Sequence, residues 1–182
     1  SCGRDALISD LPWSQVRTAL VDGKAPIPLL EDMLGSWPEL RVNIDCKSDA
    51  AVDALTATLQ RCGALERVSV GAFSDRRVKR LRGLLGPKLC SALGPVETAL
   101  LRFGRPRHAA GNVAQIPVRQ GSLTVATKGL IKRAHQLGIK VHVWTIDEPS
   151  EMHRLLDLGV DGLMTDRPVV LRRVFEERGI WQ

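Results

Sequence analysis

The sequence contains no tyrosine, and aromatic residues make up only 4% of its 182 positions. So few rings give nucleic-acid bases little to stack on, and no basic run alternates with aromatics. The formal net charge of +6 therefore points to anionic small molecules, with no nucleic-acid partner expected. No uncharged apolar run reaches the roughly 18 residues that a spanning helix needs, so no transmembrane segment is expected. The opening SCGRDALISD carries charges where an export signal needs an apolar core, and the cytoplasm is the expected compartment. The first residue is Ser rather than Met, which leaves room for an upstream segment. Cys2, Cys46, Cys62 and Cys90 show no C-x-x-C spacing, which excludes a zinc knuckle or thioredoxin-like motif and favours reduced thiols. Also lacking are G-x-G-x-x-G, G-x-x-x-x-G-K-[ST] and G-x-S-x-G, the marks of dinucleotide sites, P-loops and serine hydrolases.

What remains, 44% hydrophobic and 25% charged, is the composition of a soluble globular chain, expected to form a single domain over residues 1–182. From residue 41 onward, apolar runs that read as strands alternate with amphipathic runs that read as helices. The strand candidates are Arg41–Lys47, Arg67–Phe73, Lys88–Leu93, Val113–Val118, Lys140–Thr145 and Gly159–Thr165. Helix candidates between and after them are Asp49–Arg61, Thr127–Gln136, Ser150–Leu158 and a last one from Pro168 to Arg178. Upstream, Pro12–Leu20 and Pro28–Leu34 read as helices, with no convincing strand. The basic stretch Asp75–Leu85 spaces Val78, Leu81 and Leu85 helically, so its arginines are expected on a solvated face. A second basic cluster, Arg102, Arg105, Arg107 and His108, falls in a Gly/Pro-rich stretch read as a loop. Such alternation implies a parallel sheet, and without a Gly-rich first turn the better fit is a parallel (β/α) barrel of the TIM-barrel type. A full barrel has eight units over roughly 250 residues, so this one is expected to be incomplete, with about six of the eight.

On the strand R-V-N-I-D-C-K, residues 41–47, Val42, Ile44 and Cys46 share one face, and Asn43, Asp45 and Lys47 share the other. With the polar face lining the barrel, Asp45 and Lys47 stand at its C-terminal mouth, where such barrels hold their sites. A carboxylate beside a lysine suits an anionic substrate held with a metal; the plain alternative is an ion pair at a sheet rim. On K-V-H-V-W-T, residues 140–145, His142 and Trp144 share a face, Trp144 offering a flat apolar wall and His142 sitting deeper as an interior histidine.

The block V-H-V-W-T-I-D-E-P-S-E-M-H-R-L-L-D-L-G-V-D-G-L-M-T-D-R-P, residues 141–168, strongly resembles the C-terminal end of glycerophosphodiester phosphodiesterases. I-P-L-L-E-D-M-L, residues 27–34, the R-V-N-I-D-C-K strand, and V-G-A-F-S-D, residues 70–75, are similar to earlier motifs of that family. The resemblance runs from about residue 8 to residue 178. It implies a barrel that cleaves glycerophosphodiesters to glycerol 3-phosphate and an alcohol with a divalent cation, calcium or magnesium. It places Asp45 on the metal, in place of the family's Glu, and Lys47 on the phosphate. It also places Trp144 and Phe73 in the substrate pocket, and Asp147 at a rim position where the family has Asn. The family's H-R-G, E-x-D and H-D motifs, which carry its acid–base histidines and two metal carboxylates, do not occur in these residues. The expectation is thus the C-terminal three quarters of a phosphodiesterase barrel, with no catalytic acid or base of its own, impaired alone, and either self-associating through its open edges or recruiting residues 1–40 across the gap. The alternative is a non-catalytic barrel remnant that binds anions. Nineteen Arg against seven Lys suggest a bacterial source.

Overall fold

The computed structural model describes residues 6–104 and 110–181, so Cys2, Arg105, Arg107 and His108 lie outside the described residues. Six parallel strands form its frame: β3 (Val42–Asp45), β4 (Val68–Gly71), β5 (Cys90–Ser91), β6 (Val113–Pro117), β9 (Lys140–Trp144) and β10 (Gly162–Leu163). They pair as β3-β4-β5 and as β6-β9-β10, and a single parallel bridge, Ala92 to Val113, joins the two triplets into one arc. All six fall inside the strand segments read from the sequence. The arc does not close: among the described residues no strand pairs with the outer edge of β3 or of β10.

Helices alternate with these strands. They are α3 (Ala51–Arg61), α4 (Asp75–Leu85), α5 (Pro95–Arg102), α6 (Lys128–Gln136), α7 (Pro149–Leu158) and α8 (Pro168–Glu177). Each turns an apolar stripe onto the outer face of the arc. On α3 the buried positions are Val52, Leu55, Thr56 and Leu59; on α4 they are Val78, Leu81 and Leu85. These meet Val68 and Val70 of β4 in one core, while Leu130, Ile131 and Met152 meet Ile116, Val141 and Val143 in another. Each fully buried Leu or Ile contributes about 1.5–3 kcal/mol, so these two layers hold the arc in shape.

Three features depart from the sequence reading. Residues 12–20 form only the single turn α1 (Trp13–Val16), because Leu20–Val21 (β1) pairs with Ala25–Pro26 (β2) as an antiparallel hairpin. In its three-residue loop, Asp22 at φ 50° and Gly23 at φ 70° have the left-handed backbone of a tight hairpin turn, closed by the Lys24 N–H on the Val21 carbonyl at 3.0 Å. Beyond it, α2 (Leu30–Ser36) buries Leu34 against the α3 layer. Second, the Pro/Gly-rich stretch after β5 is helical: Pro95 opens α5, and Glu97 reaches back to the Gly94 N–H at 2.9 Å. Arg102 therefore ends a helix rather than lying in a loop. Third, a hairpin of β7 (Arg119–Gln120) and β8 (Leu123–Thr124) follows β6.

Arg76 and Arg80 of α4 lie exposed to solvent, as the helical spacing predicts, but the α4 arginines are ion-paired rather than free. Arg77 donates to Asp49 Oδ1 at 2.9 Å and to the Cys46 carbonyl, Arg76 pairs with Asp49, and Arg80 with Asp53. Arg82 is half-buried in a two-pronged pair with Glu97 at 2.9 and 3.0 Å, and it also donates to Ser91 Oγ and the Ala92 carbonyl. Burial alone would raise the Glu97 pKa, but the Arg82 guanidinium and the Gly94 and Ala110 N–H groups hold it below the usual carboxylate range. Much of the basic charge near the first core is therefore spent on structure.

Candidate functional site at the open end of the arc

Strand alternation decides which side chains face inward. The register sets Asn43 beside Ser69, Asp45 beside Gly71, Gln115 beside His142, and Pro117 beside Trp144. Their neighbours Ile44, Val70, Ile116, Val141 and Val143 belong to the outer cores or pack against them. The concave interior is consequently polar. Gln115 Nε2 donates to Asn43 Oδ1 across it at 2.7 Å, tying β6 to β3. His142 lies deeper, its ring so close to Gly162 that a Cβ there would stand 2.8 Å from it. Burial pushes the His142 pKa below its ordinary value, so the ring is neutral at pH 7.

Above this interior, at the carboxyl ends of the strands, opens a cavity of about 740 Å³. All four residues singled out in the sequence line it: Asp45, Lys47, Phe73 and Trp144. Lys47 donates from Nζ to Asp45 Oδ2, and its ammonium lies 5.6 Å from the centre of the Phe73 ring. Phe73, after β4, meets Trp144, at the end of β9, edge to face with centroids 5.8 Å apart. The two rings thus meet across the mouth. Asp45 Oδ1 and, below it, Ser69 Oγ are buried with no hydrogen-bond partner. An orphan carboxylate oxygen is costly in a folded chain and marks a place for a ligand or water.

The orphan oxygen fits one position of a hard divalent cation. Calcium takes six to eight oxygens, and among the described residues no group of three or more His, Cys, Asp or Glu side chains is placed to hold a metal. The described residues thus offer a ligand but not a complete metal site.

Asp147 sits just outside the cavity. Its Oδ1 accepts from Thr165 Oγ1 at 2.8 Å and from the Asp166 N–H at 2.9 Å, clasping the loops after β9 and β10. The other described histidines lie away from the cavity, His135 on Asp161 at 2.7 Å and His153 between Glu177 and Arg178. Lining residues not singled out in the sequence include Gln115, Phe103, Leu123 and Met164, and Arg102 of the second basic cluster lines the cavity with them. Gln115 was within reach of strand periodicity, since it interrupts the apolar Ala114 and Ile116. Arg102 and Phe103, at the end of α5, and Leu123, in the β7–β8 hairpin, belong to two of the three features not foreseen.

Fold and site define a parallel α/β protein with an amphipathic ligand cavity outside the carboxyl ends of its strands, polar at β3 and apolar opposite. The profile of the Glycerophosphoryl diester phosphodiesterase family matches residues 2–170, and the chain belongs to that family. A Mycobacterium tuberculosis relative, "Probable glycerophosphodiester phosphodiesterase 2", is 37% identical over 188 aligned residues, covering 98% of this chain and 71% of the relative. A solved glycerophosphodiester phosphodiesterase from Parabacteroides distasonis superposes with a TM-score of 0.74 at 20% identity, over 92% of this chain and 72% of that one. A phosphodiesterase from Oleispira antarctica, solved with the product sn-glycerol-3-phosphate, gives 0.68 at 12% identity, over 94% and 73%. Among the described residues no helix is long and apolar enough to cross a membrane.

Proposed function

We propose that the cavity binds the phosphodiester group of a glycerophosphodiester, and that the intact catalytic set of which these residues form part hydrolyses it to glycerol 3-phosphate and an alcohol. The observation that carries this reading is the Asp45–Lys47 pair at the mouth, with one carboxylate oxygen buried and unpartnered. In it, Lys47 turns its ammonium from Asp45 to a nonbridging phosphate oxygen, a charge-assisted bond roughly twice as strong as a neutral one. The Trp144 and Phe73 rings pack on the carbon skeleton of the glycerol. Asp45 contributes one oxygen to a calcium or magnesium ion, which when bound polarises the phosphoryl group and offsets its charge. In this reading Asp45 and Lys47 are taken up by the metal and the phosphate, and no histidine stands among the described residues that line the cavity, so protonation of the leaving alcohol calls for a donor beyond them. The reading places the chain in glycerol and lipid metabolism of a bacterium, as one domain with a small-molecule substrate.

The test is release of glycerol 3-phosphate from glycerophosphocholine with calcium or magnesium present. Where turnover is measurable, Lys47→Ala lowers kcat/KM by about 100-fold or more, the loss of a charged transition-state contact being worth about 3 kcal/mol. Turnover unchanged by that substitution would overturn the assignment. Binding of the diester without hydrolysis, even when the missing acid–base and metal donors are supplied by an N-terminal extension, would instead favour the anion-binding remnant.

A further inference from the structure

Among the described residues, three charged side chains line the cavity: Asp45, Lys47 and Arg102. Asp45 and Lys47 pair with each other on the β3 side. Arg102, half-buried at the end of α5, pairs with no carboxylate among the described residues. It is nonetheless firmly held. Its Nε donates to the Thr124 carbonyl at 3.2 Å, tying α5 to the β7–β8 hairpin. Arg133 of α6 donates to the Leu101 and Arg102 carbonyls at 2.9 and 2.5 Å, which fixes the backbone beneath it. A guanidinium has five N–H donors, and those on the two terminal nitrogens of Arg102 meet no acceptor among the described residues. Its surroundings are mostly apolar, with Leu93, Ala99, Phe103 and Leu123 on the same side of the cavity and Thr98 one turn earlier on α5. A fixed cation in such a setting attracts an anion more strongly than it would in open water.

We propose that Arg102 is the specificity-determining residue for the alcohol that leaves the phosphate. It favours an alcohol that carries its own anionic group, a carboxylate or a second phosphate, and disfavours a purely cationic one. The proposal rests on the phosphodiester reading of the Asp45–Lys47 end, and it assigns the opposite end. With the phosphate at Lys47 and the glycerol at the Trp144–Phe73 rings, the alcohol extends toward α5. A volume of about 740 Å³ lies within the roughly 300–1,000 Å³ of ligand sites and leaves room for it. Hydrolysis breaks the bond from phosphorus to the alcohol oxygen; water supplies hydroxide to phosphorus and a proton to the alcohol. An arginine kept only to join α5 to the hairpin, or to face the carbonyls at the end of α5, would not discriminate between alcohols. Selectivity is therefore the property that separates the two roles.

The experiment is calorimetric titration of the full chain, in metal-free buffer at low ionic strength, with two matched pairs of probes. Glycerophosphoserine exceeds glycerophosphoethanolamine by one carboxylate, and glycerophosphoglycerol phosphate exceeds glycerophosphoglycerol by one terminal phosphate. The anionic member is expected to bind at least about tenfold more tightly, the scale of a hydrogen bond to a charged group. A gain in one pair alone identifies the carboxylate or the phosphate as the group held. The ratio should fall with added salt. Arg102→Gln should bring it close to unity, and Arg102→Lys, which keeps the charge but not the Nε bond, should retain part of it. If Arg102→Gln loses its cooperative unfolding, Thr98→Glu supplies the second variant. It sets a carboxylate four residues before the arginine on the same helix, where the two pair, and should abolish the ratio with Arg102 still present. Equal affinities within both pairs, or ratios that neither Arg102→Gln nor Thr98→Glu moves, would overturn the selector role; if Lys47→Ala still weakened every probe, the phosphodiester reading would stand. Probes that do not bind, or that are indifferent to Lys47→Ala, would overturn the phosphodiester reading and with it this assignment.

Discussion

Asp45 and Lys47 stand two positions apart on one strand, so pleating alone carries both to the concave side, and the end of β3 carries them to its mouth. Their mutual pairing leaves Asp45 Oδ1 without a partner and makes the carboxylate an obstacle to a phosphate when no cation is present. In a metal-free buffer, Asp45→Asn is therefore expected to bind glycerol 3-phosphate a few-fold more tightly than the parent, because one like-charge repulsion is gone. In calcium or magnesium that order should reverse; a variant indifferent to both conditions would show that Asp45 takes no part. Gly162 supplies a second test at this scale. Its missing Cβ is what lets the His142 ring fill the interior, and an added methyl would sit 2.8 Å from that ring. Gly162→Ala should cost about 1–3 kcal/mol in urea unfolding, and His142→Ala in the same chain should recover part of it. No recovery would mean that the strain lies in the backbone instead.

Elements were legible in the sequence where period and burial agree. The strand of residues 41–47 alternates strictly, and its two faces divide as alternation requires. Val78, Leu81 and Leu85 mark α4 by spacing alone. What was not legible arises from pairings between distant residues. Asp49 and Asp53 neutralise α4 arginines only because α3 packs beside α4, and α5 is helical partly because Glu97 closes its own first turn while gripping Arg82. The short hairpins carry D-G and G-S turns but strands of only two residues, too brief for any alternation to show. The Arg82–Glu97 pair predicts that Arg82→Ala destabilises the chain by about 3 kcal/mol, since it leaves a part-buried carboxylate without its counter-charge and the Ser91 hydroxyl without its donor. A loss below about 1 kcal/mol in denaturant unfolding would contradict that. At the opposite end of the strands, burial would raise the Asp161 pKa, yet the Lys140 ammonium, the Val141 N–H and His135 lower it below the ordinary carboxylate value. His142 is likewise depressed, by burial. For both groups the unfolded chain binds protons more readily than the folded one, so stability is complete above their unfolded pKa values and falls with pH. Thermal unfolding should accordingly drop from about pH 7 downward through the histidine range first, and again in the carboxylate range. His142→Asn should flatten the first drop and Asp161→Asn lessen the second, to which the depressed Glu97 also contributes; unaltered profiles would rule out these groups as the cause.

At the scale of the whole molecule, among the described residues, the arc has two unpaired parallel edges, β3 and β10, and the β1–β2 hairpin pairs only with itself. Open edges template pairing with other chains, so we propose that the isolated chain self-associates with rising concentration. Light scattering that reports a monomer across a hundredfold concentration range would contradict this. The six-stranded order was readable because each strand–helix unit repeats at a barrel's spacing. The Ala92–Val113 bridge that joins the two triplets into one curved wall, and the cavity this curvature encloses, come from tertiary packing alone. The account depends most on that wall presenting Lys47 to a phosphate inside it. Calorimetric titration of the chain with glycerol 3-phosphate, set beside Lys47→Ala at the same ionic strength, addresses this directly. Saturable binding that the substitution weakens at least about tenfold is the predicted result; equal affinity of the two proteins would contradict the account.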